Sequence, residues 1–80
     1  KLMQFVPFEG VYAYFRYSEE GVVMTVLNKN DEAKEISLDR FAEILKGASG
    51  GMDIIHDEYL DFKDGYMILP AKATRIIEVE

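Results

Sequence analysis

Side chains along much of the chain follow a period of two, as in β-strands. Residues 11–17, Val-Tyr-Ala-Tyr-Phe-Arg-Tyr, are rich in β-forming types and show this most clearly. The period places Tyr12, Tyr14 and Arg16 on one face of the predicted strand. The opposite face carries Val11, Ala13, Phe15 and Tyr17. Because neither face is clearly polar, we expect this strand to be covered on both sides.

Polar turns separate this strand from six further apolar runs. The seven strands are expected at 11–17, 22–29, 33–38, 52–56, 59–62, 66–69 and 73–79. The turns between them are rich in Gly, Asn and Asp, which tolerate left-handed backbone, and Asp64-Gly65 is a hairpin signal. Short strands separated at such intervals are typical of a β-sandwich.

One segment departs from the two-residue period. Phe41, Ile44 and Leu45 stand at i, i+3 and i+4, which is the spacing of an apolar stripe on a helix. Asp39 is a candidate N-cap and Gly47 a candidate C-cap. The sequence therefore predicts an all-β fold, a small antiparallel Greek-key β-sandwich of about seven strands, with one short helix over 39–45.

The predicted core draws on several strands and on the helix. We expect these residues to be mostly buried: Val26, Leu27, Ile36, Leu38, Phe41, Leu45, Ile54 and Ile76. Residues 1–9 read as a connecting segment with apolar anchors, because Pro7 biases the residue before it toward extended backbone. Residues 10–80 form the predicted sandwich domain. The start, Lys-Leu-Met-Gln, has neither an initiator Met nor a signal-peptide pattern, so we expect a piece of a longer protein.

Composition and charge exclude several classes of function. The 80 residues carry a net charge of −6, and the nine basic residues are scattered singly. Nucleic-acid binding needs a concentrated positive stripe, which is missing, and no run approaches the ~20 apolar residues of a membrane span. The lack of cysteine excludes disulfides, thiolate zinc sites and a cysteine nucleophile.

Candidate catalytic and metal-binding residues all lie in predicted turns. Two carboxyl groups that act as acid and base need burial to separate their pKa values. The acidic pairs Asp57-Glu58 and Glu19-Glu20 are expected in exposed turns, where such burial is missing. His56 has acidic neighbours, but zinc sites normally draw on several His or Cys ligands, and the calcium-loop spacing is missing. We therefore expect no catalytic, cofactor-binding or metal-binding residue in this chain.

Several motifs occur in an order that resembles one family. They are Gly10-Val11-Tyr12-Ala13-Tyr14-Phe15-Arg16, the apolar strand that closes on Asn28, Asp53-Ile54-Ile55 with its turn, and Leu69-Pro70-Ala71 followed by Ile76-Ile77-Glu78-Val79. Over residues 2–79 the chain resembles the C-terminal β-sandwich domain of α-amylase-family glycoside hydrolases, in particular the cyclomaltodextrinase and neopullulanase group. His56 departs from the family pattern, in which a small or hydroxyl residue is more usual.

The resemblance implies an enzyme much longer than this chain. Such a parent hydrolyses α-glucosidic bonds with an Asp nucleophile, a Glu acid/base and a second Asp on the loops of a (β/α)₈ barrel. A barrel takes about 250 residues and does not fit in 80. The resemblance therefore implies a non-catalytic accessory domain that stabilises the barrel in cis. Whether the parent is periplasmic or cytoplasmic stays open.

Two other functions stay open at this stage. The first is a starch- or maltooligosaccharide-binding module with a weak contact to α-glucan, since sugar rings stack on exposed aromatics. Its candidates are Tyr12, Tyr14, Tyr17, Tyr59 and Tyr66. The second is an unrelated β-sandwich interaction domain. Against the first, the chain has no Trp, and its aromatic residues are also needed for the core and for a domain interface.

The predicted interface with the barrel combines two parts of the chain. Phe5 and Phe8 lie in the connecting segment, and Tyr12, Tyr14 and Arg16 share one face of the first predicted strand. A sandwich has only one inner face to bury, so a strand that is apolar on both faces needs a second cover. Arg16 suits such a boundary because its guanidinium stacks on aromatic rings and pairs with carboxylates.

Overall fold

Eight strands make up most of the chain in the computed structural model, which describes residues 2–45 and 47–80, without the side chains of residues 2–8, 42 and 43. The strands are β1 (Leu2–Phe8), β2 (Val11–Ser18), β3 (Gly21–Asn28), β4 (Lys34–Ser37), β5 (Gly50–Asp53), β6 (Glu58–Asp61), β7 (Tyr66–Leu69) and β8 (Thr74–Val79). A 3₁₀ turn, Leu38–Phe41, leads into a four-residue helix α1, Ala42–Leu45. All seven predicted strands and the helical segment are confirmed, with shifted ends.

The strands form two antiparallel sheets. The larger sheet has the order β1-β2-β3-β8-β5-β6, and the smaller one pairs β4 with β7. The pairs β3–β8, β4–β7 and β5–β6 are nested in sequence, which is the Greek-key wrapping of a two-sheet sandwich. The predicted all-β sandwich class is therefore confirmed.

Residues 2–8, predicted as a connecting segment, form an additional strand. β1 pairs with β2 along the edge of the larger sheet, and the register shifts between Phe5 and Phe8. Pro7 lies within this irregular stretch. Proline lacks a backbone N–H, and strands tolerate it at edges and bulges. Because of Pro7, a connecting segment was predicted where the chain forms an edge strand.

The core lies between the two sheets and the helical segment. Phe15, Met24, Val26, Leu69 and Ile77 are fully enclosed. The ring of Phe41, which is 2% exposed, lies 5.3 Å from the ring of Phe15 between centroids. Five predicted core residues are confirmed as buried: Val26, Ile36, Leu38, Phe41 and Leu45. The helical segment therefore closes one side of the sandwich.

Three residues of the predicted core lie elsewhere. Leu27 and Ile76 are only partly buried, because their neighbours Val26 and Ile77 occupy the inner face of their strands. Ile54 is 52% exposed, and its predicted burial is wrong. Its strand ends at residue 53 rather than 56, and Ile54 stands in the turn that follows.

Asn28 ties together the loops at one end of the sandwich. Its buried side-chain amide donates to the carbonyl oxygens of Glu32, Leu69 and Pro70 at 3.0–3.1 Å. Its Oδ1 accepts the backbone N–H of Asn30 at 2.9 Å. These contacts link the β3–β4 connection to the end of β7 and to the β7–β8 connection.

Candidate functional site

The outer face of the larger sheet carries the predicted interface residues of β2. Tyr12 and Tyr14 are partly buried and Arg16 is exposed, whereas Val11, Ala13 and Phe15 point into the core. The two faces predicted from the alternation are therefore confirmed. Across the strand pair, Tyr12, Tyr14 and Arg16 stand opposite Leu27, Thr25 and Val23 of β3.

This face has a depression over β2 and β3. Tyr14, Arg16, Val23 and Thr25 line a space of about 440 Å³. Thr25 stands opposite Ile76 of β8, which continues the partly buried row. Tyr14, Val23 and Thr25 are only partly buried. The described part of the chain therefore encloses one face of this strand and leaves the other face partly open.

Phe5 and Phe8 complete the predicted interface only at the level of the backbone. Phe5 pairs with Ala13 and Phe8 pairs with Val11 in the register of β1 with β2. Their side chains lie outside the described part of the chain. At the same end of the sheet, Lys29 Nζ lies 5.3 Å from the ring centroid of Tyr12, within the range of a cation–π contact.

A charged cluster between the sheets was not predicted from the sequence. Arg75 Nη1 donates to Asp53 Oδ2 at 2.7 Å and to Glu58 Oε1 at 3.1 Å. The Asp53 side chain is 0% exposed and that of Arg75 is 8% exposed. Arg75 Nε also reaches the carbonyl oxygen of Ile68 at 3.3 Å. Arg75 of β8 thus links β5 of the larger sheet to β7 of the smaller one.

Asp53 also builds the turn that carries His56. Its Oδ1 accepts the backbone N–H groups of Ile55 and His56 at 2.9 and 3.1 Å. The His56 ring is 43% exposed, and its Nδ1 lies 2.8 Å from Asp53 Oδ2. A side chain that takes up turn N–H groups ends the strand locally. This explains why β5 stops before Ile54.

The environment of Asp53 lowers the pKa of its carboxyl group below the ordinary value near 3.8. Burial opposes ionisation, but hydrogen bonds from the His56 backbone and ring, from Arg75 and from the Ile55 backbone together outweigh it. The ionised form is therefore favoured by folding, and it contributes stability above the ordinary pKa of a carboxyl group.

This linkage predicts an acid-dependent loss of stability. As the pH falls from about 5 through the lowered pKa of Asp53, the wild-type chain should lose the contribution of this carboxylate. The Asp53→Asn variant lacks this carboxylate at every pH. The difference in unfolding free energy between wild type and variant should therefore become smaller as the pH falls. Denaturant melts at a series of pH values measure this difference, with Asp64→Asn in an exposed turn as control. A difference that stays constant down to pH 3 would contradict the linkage.

The acidic pairs considered for catalysis lie on the surface. Glu19, Glu20, Asp57 and Glu58 are all exposed, as predicted. Within residues 2–45 and 47–80, no three His, Asp or Glu side chains converge as a metal site would need. In that same part of the chain, no helix has the length and apolar character required to cross a bilayer.

The five tyrosines proposed as sugar platforms fall into two groups. Tyr12, Tyr14 and Tyr17 are partly buried, and Tyr17 packs against the core. Tyr59 on β6 and Tyr66 on β7 are 47% and 41% exposed. Only the second group presents a large part of its ring surface to solvent.

Comparisons with known proteins agree with the sequence resemblance. The model of the cyclomaltodextrinase C-terminal domain family matches residues 2–78. No curated protein matches the chain. The crystal structure of an AmyP variant in complex with maltotriose has the same fold, with a TM-score of 0.72 at 12% sequence identity. The match covers 100% of this chain and 16% of that one. The chain thus belongs to the family of cyclomaltodextrinase C-terminal domains, which is found in α-amylase-family enzymes.

Proposed function

We propose that this chain is a non-catalytic C-terminal accessory domain of an α-glucan-hydrolysing enzyme of the cyclomaltodextrinase, neopullulanase or α-amylase type. Its role is to stabilise the catalytic (β/α)₈ barrel in cis. Family membership over residues 2–78 supports this role, as does the structural relative, which binds maltotriose in a chain about six times longer.

The observation that carries this proposal is the open outer face of the larger sheet. Tyr12, Tyr14 and their neighbours on β3 form a partly buried, largely apolar row, whereas a monomeric protein rarely leaves a wide apolar face without a partner. Arg16 at the rim supplies a guanidinium that stacks on rings and pairs with carboxylates. Phe5, Phe8, Tyr12, Tyr14 and Arg16 remain the proposed contact residues.

Accessibility of the tyrosines in the full-length protein tests this contact directly. In hydroxyl-radical footprinting, we expect Tyr12 and Tyr14 to be labelled several-fold more slowly than Tyr66, which lies on the smaller sheet. Equal labelling of the three residues would contradict docking through this face.

A charge placed on the face should uncouple the two domains. Tyr14→Lys in the full-length protein buries an ammonium group against the barrel and should cost about 2–4 kcal/mol of domain coupling. In calorimetry, the single transition should broaden or split, and Tyr66→Lys should leave it unchanged. If neither variant alters the transition, the barrel does not depend on this face.

A further inference from the structure

Tyr59 occupies the edge of the larger sheet that lies furthest from β1. With the strand order β1-β2-β3-β8-β5-β6 and a spacing of ~4.8 Å, this edge is ~24 Å away from β1. Tyr59 shares the outer face of the sheet with the residues proposed to dock on the barrel, which lie on β1, β2 and β3. The strands β8 and β5 separate Tyr59 from those residues, so Tyr59 lies outside the proposed contact.

Neighbouring groups hold the Tyr59 ring in one position. A Cβ on Gly50 would collide with the hydroxyl end of this ring, which therefore lies directly over the buried glycine. The Tyr59 hydroxyl donates to Glu80 Oε1 at 2.9 Å, and the Ser49 hydroxyl reaches the same oxygen at 3.4 Å. The side chain is fixed and yet 47% exposed. A rigid ring loses little conformational entropy when a ligand binds.

The ring belongs to a row that runs across the sheet. Tyr59 stands opposite Met52 of β5, and Met52 stands opposite Glu78 of β8. Met52 is 38% exposed, and Glu78 and Glu80 are also exposed. The row presents two adjoining apolar side chains flanked by carboxylates.

We propose that Tyr59 and Met52, with Glu78 and Glu80 beside them, form a surface site for an α-glucan chain. Pyranose C–H groups carry partial positive charge and pack on the negative face of an aromatic ring, and sugar hydroxyls donate hydrogen bonds to carboxylates. An apolar protein partner would instead desolvate both carboxylates without compensation. The choice of α-glucan rests on the proposed function, whereas the location of the site rests on the geometry.

Affinity electrophoresis of the full-length protein in gels that contain amylose tests the site. In every protein tested, the catalytic carboxylates are replaced by amides, so that the catalytic cleft contributes equally to the retention of each variant. Tyr59→Ala and Tyr59→Leu should each weaken retention at least threefold, while Tyr59→Phe keeps the ring and should stay within twofold of the parent. Tyr66→Ala removes a comparably exposed tyrosine on the other sheet and should have no effect.

Retention by Tyr59→Leu equal to that of the parent would overturn the proposal, since leucine still covers Gly50 but offers no ring. Equal retention by Tyr59→Ala would overturn it as well. Thermal melts of each variant identify any loss of fold. Release of reducing sugar from amylose by the unmodified full-length protein is measured separately. If the unmodified protein releases no reducing sugar, the proposed function is wrong. If it hydrolyses amylose but the Tyr59 variants are retained like the parent, only the Tyr59 site is wrong.

Discussion

Replacing Arg75 by Met should lower the free energy of unfolding at pH 7 by about 3–5 kcal/mol. Arg75 donates to Asp53 Oδ2 at 2.7 Å, and the Asp53 side chain has no exposed surface. Removing the guanidinium leaves a buried carboxylate with only His56 and backbone N–H groups as partners. A buried charge without its partner lowers the stability by more than the intact pair contributes to it. The loss is large for a domain, because domains are stable by only about 5–15 kcal/mol.

Acid should partly rescue this variant. Protonation of Asp53 removes the uncompensated charge, so the penalty of Arg75→Met should shrink as the pH is lowered from 7 toward 4. Lys72→Met is the matched control, because it also replaces a cation by Met but breaks an exposed pair with Asp31. Such pairs contribute about 0–1 kcal/mol. Urea melts at both pH values measure the two penalties, and equal penalties for the two variants at pH 7 would refute the role of the buried pair.

Replacing Phe41 by Ala should cost about 3–5 kcal/mol. Phe41 is 2% exposed and tilts against Phe15, whose ring is fully enclosed. The truncation leaves a cavity between the helical segment and the larger sheet, which the surrounding strands fill only in part. Loss of the ring–ring contact adds to the cost of the cavity.

Ile55→Ala is the control for this truncation, since Ile55 is 50% exposed in the turn after β5. It should change stability by less than about 1 kcal/mol. Denaturant melts compare the two variants at one pH. A cost below about 1 kcal/mol for Phe41→Ala would show that the helical segment is peripheral to the core.

The local pattern of the sequence was sufficient for seven of the eight strands and for the family. Alternation in residues 11–17 correctly separated Val11, Ala13 and Phe15 from Tyr12, Tyr14 and Arg16. Turn residues marked the gaps between strands, and the stripe through Phe41 and Leu45 marked the one helical segment. These features are local, because a strand period or a turn depends on residues close together in the chain.

In β3 and β8 the sequence did not identify which face of the strand points into the core. Leu27 and Ile76 were assigned to the core, but Met24, Val26 and Ile77 occupy it. A one-residue change of phase moves every side chain to the opposite face. Only the packing of the smaller sheet and the helical segment decided which set of side chains is enclosed.

Long-range contacts decided the remaining features. Asp53 and Arg75 are 22 residues apart in sequence, and their pairing buries a carboxylate and a guanidinium together. The ring of Tyr59 lies over Gly50 and bonds to Glu80 only because β6, β5 and the end of β8 are neighbours. The sequence by itself determined seven of the eight strands, the turns and the family. The tertiary structure alone determined which polar groups are buried together and which aromatic rings stay exposed, because both depend on strand order, which no local pattern encodes.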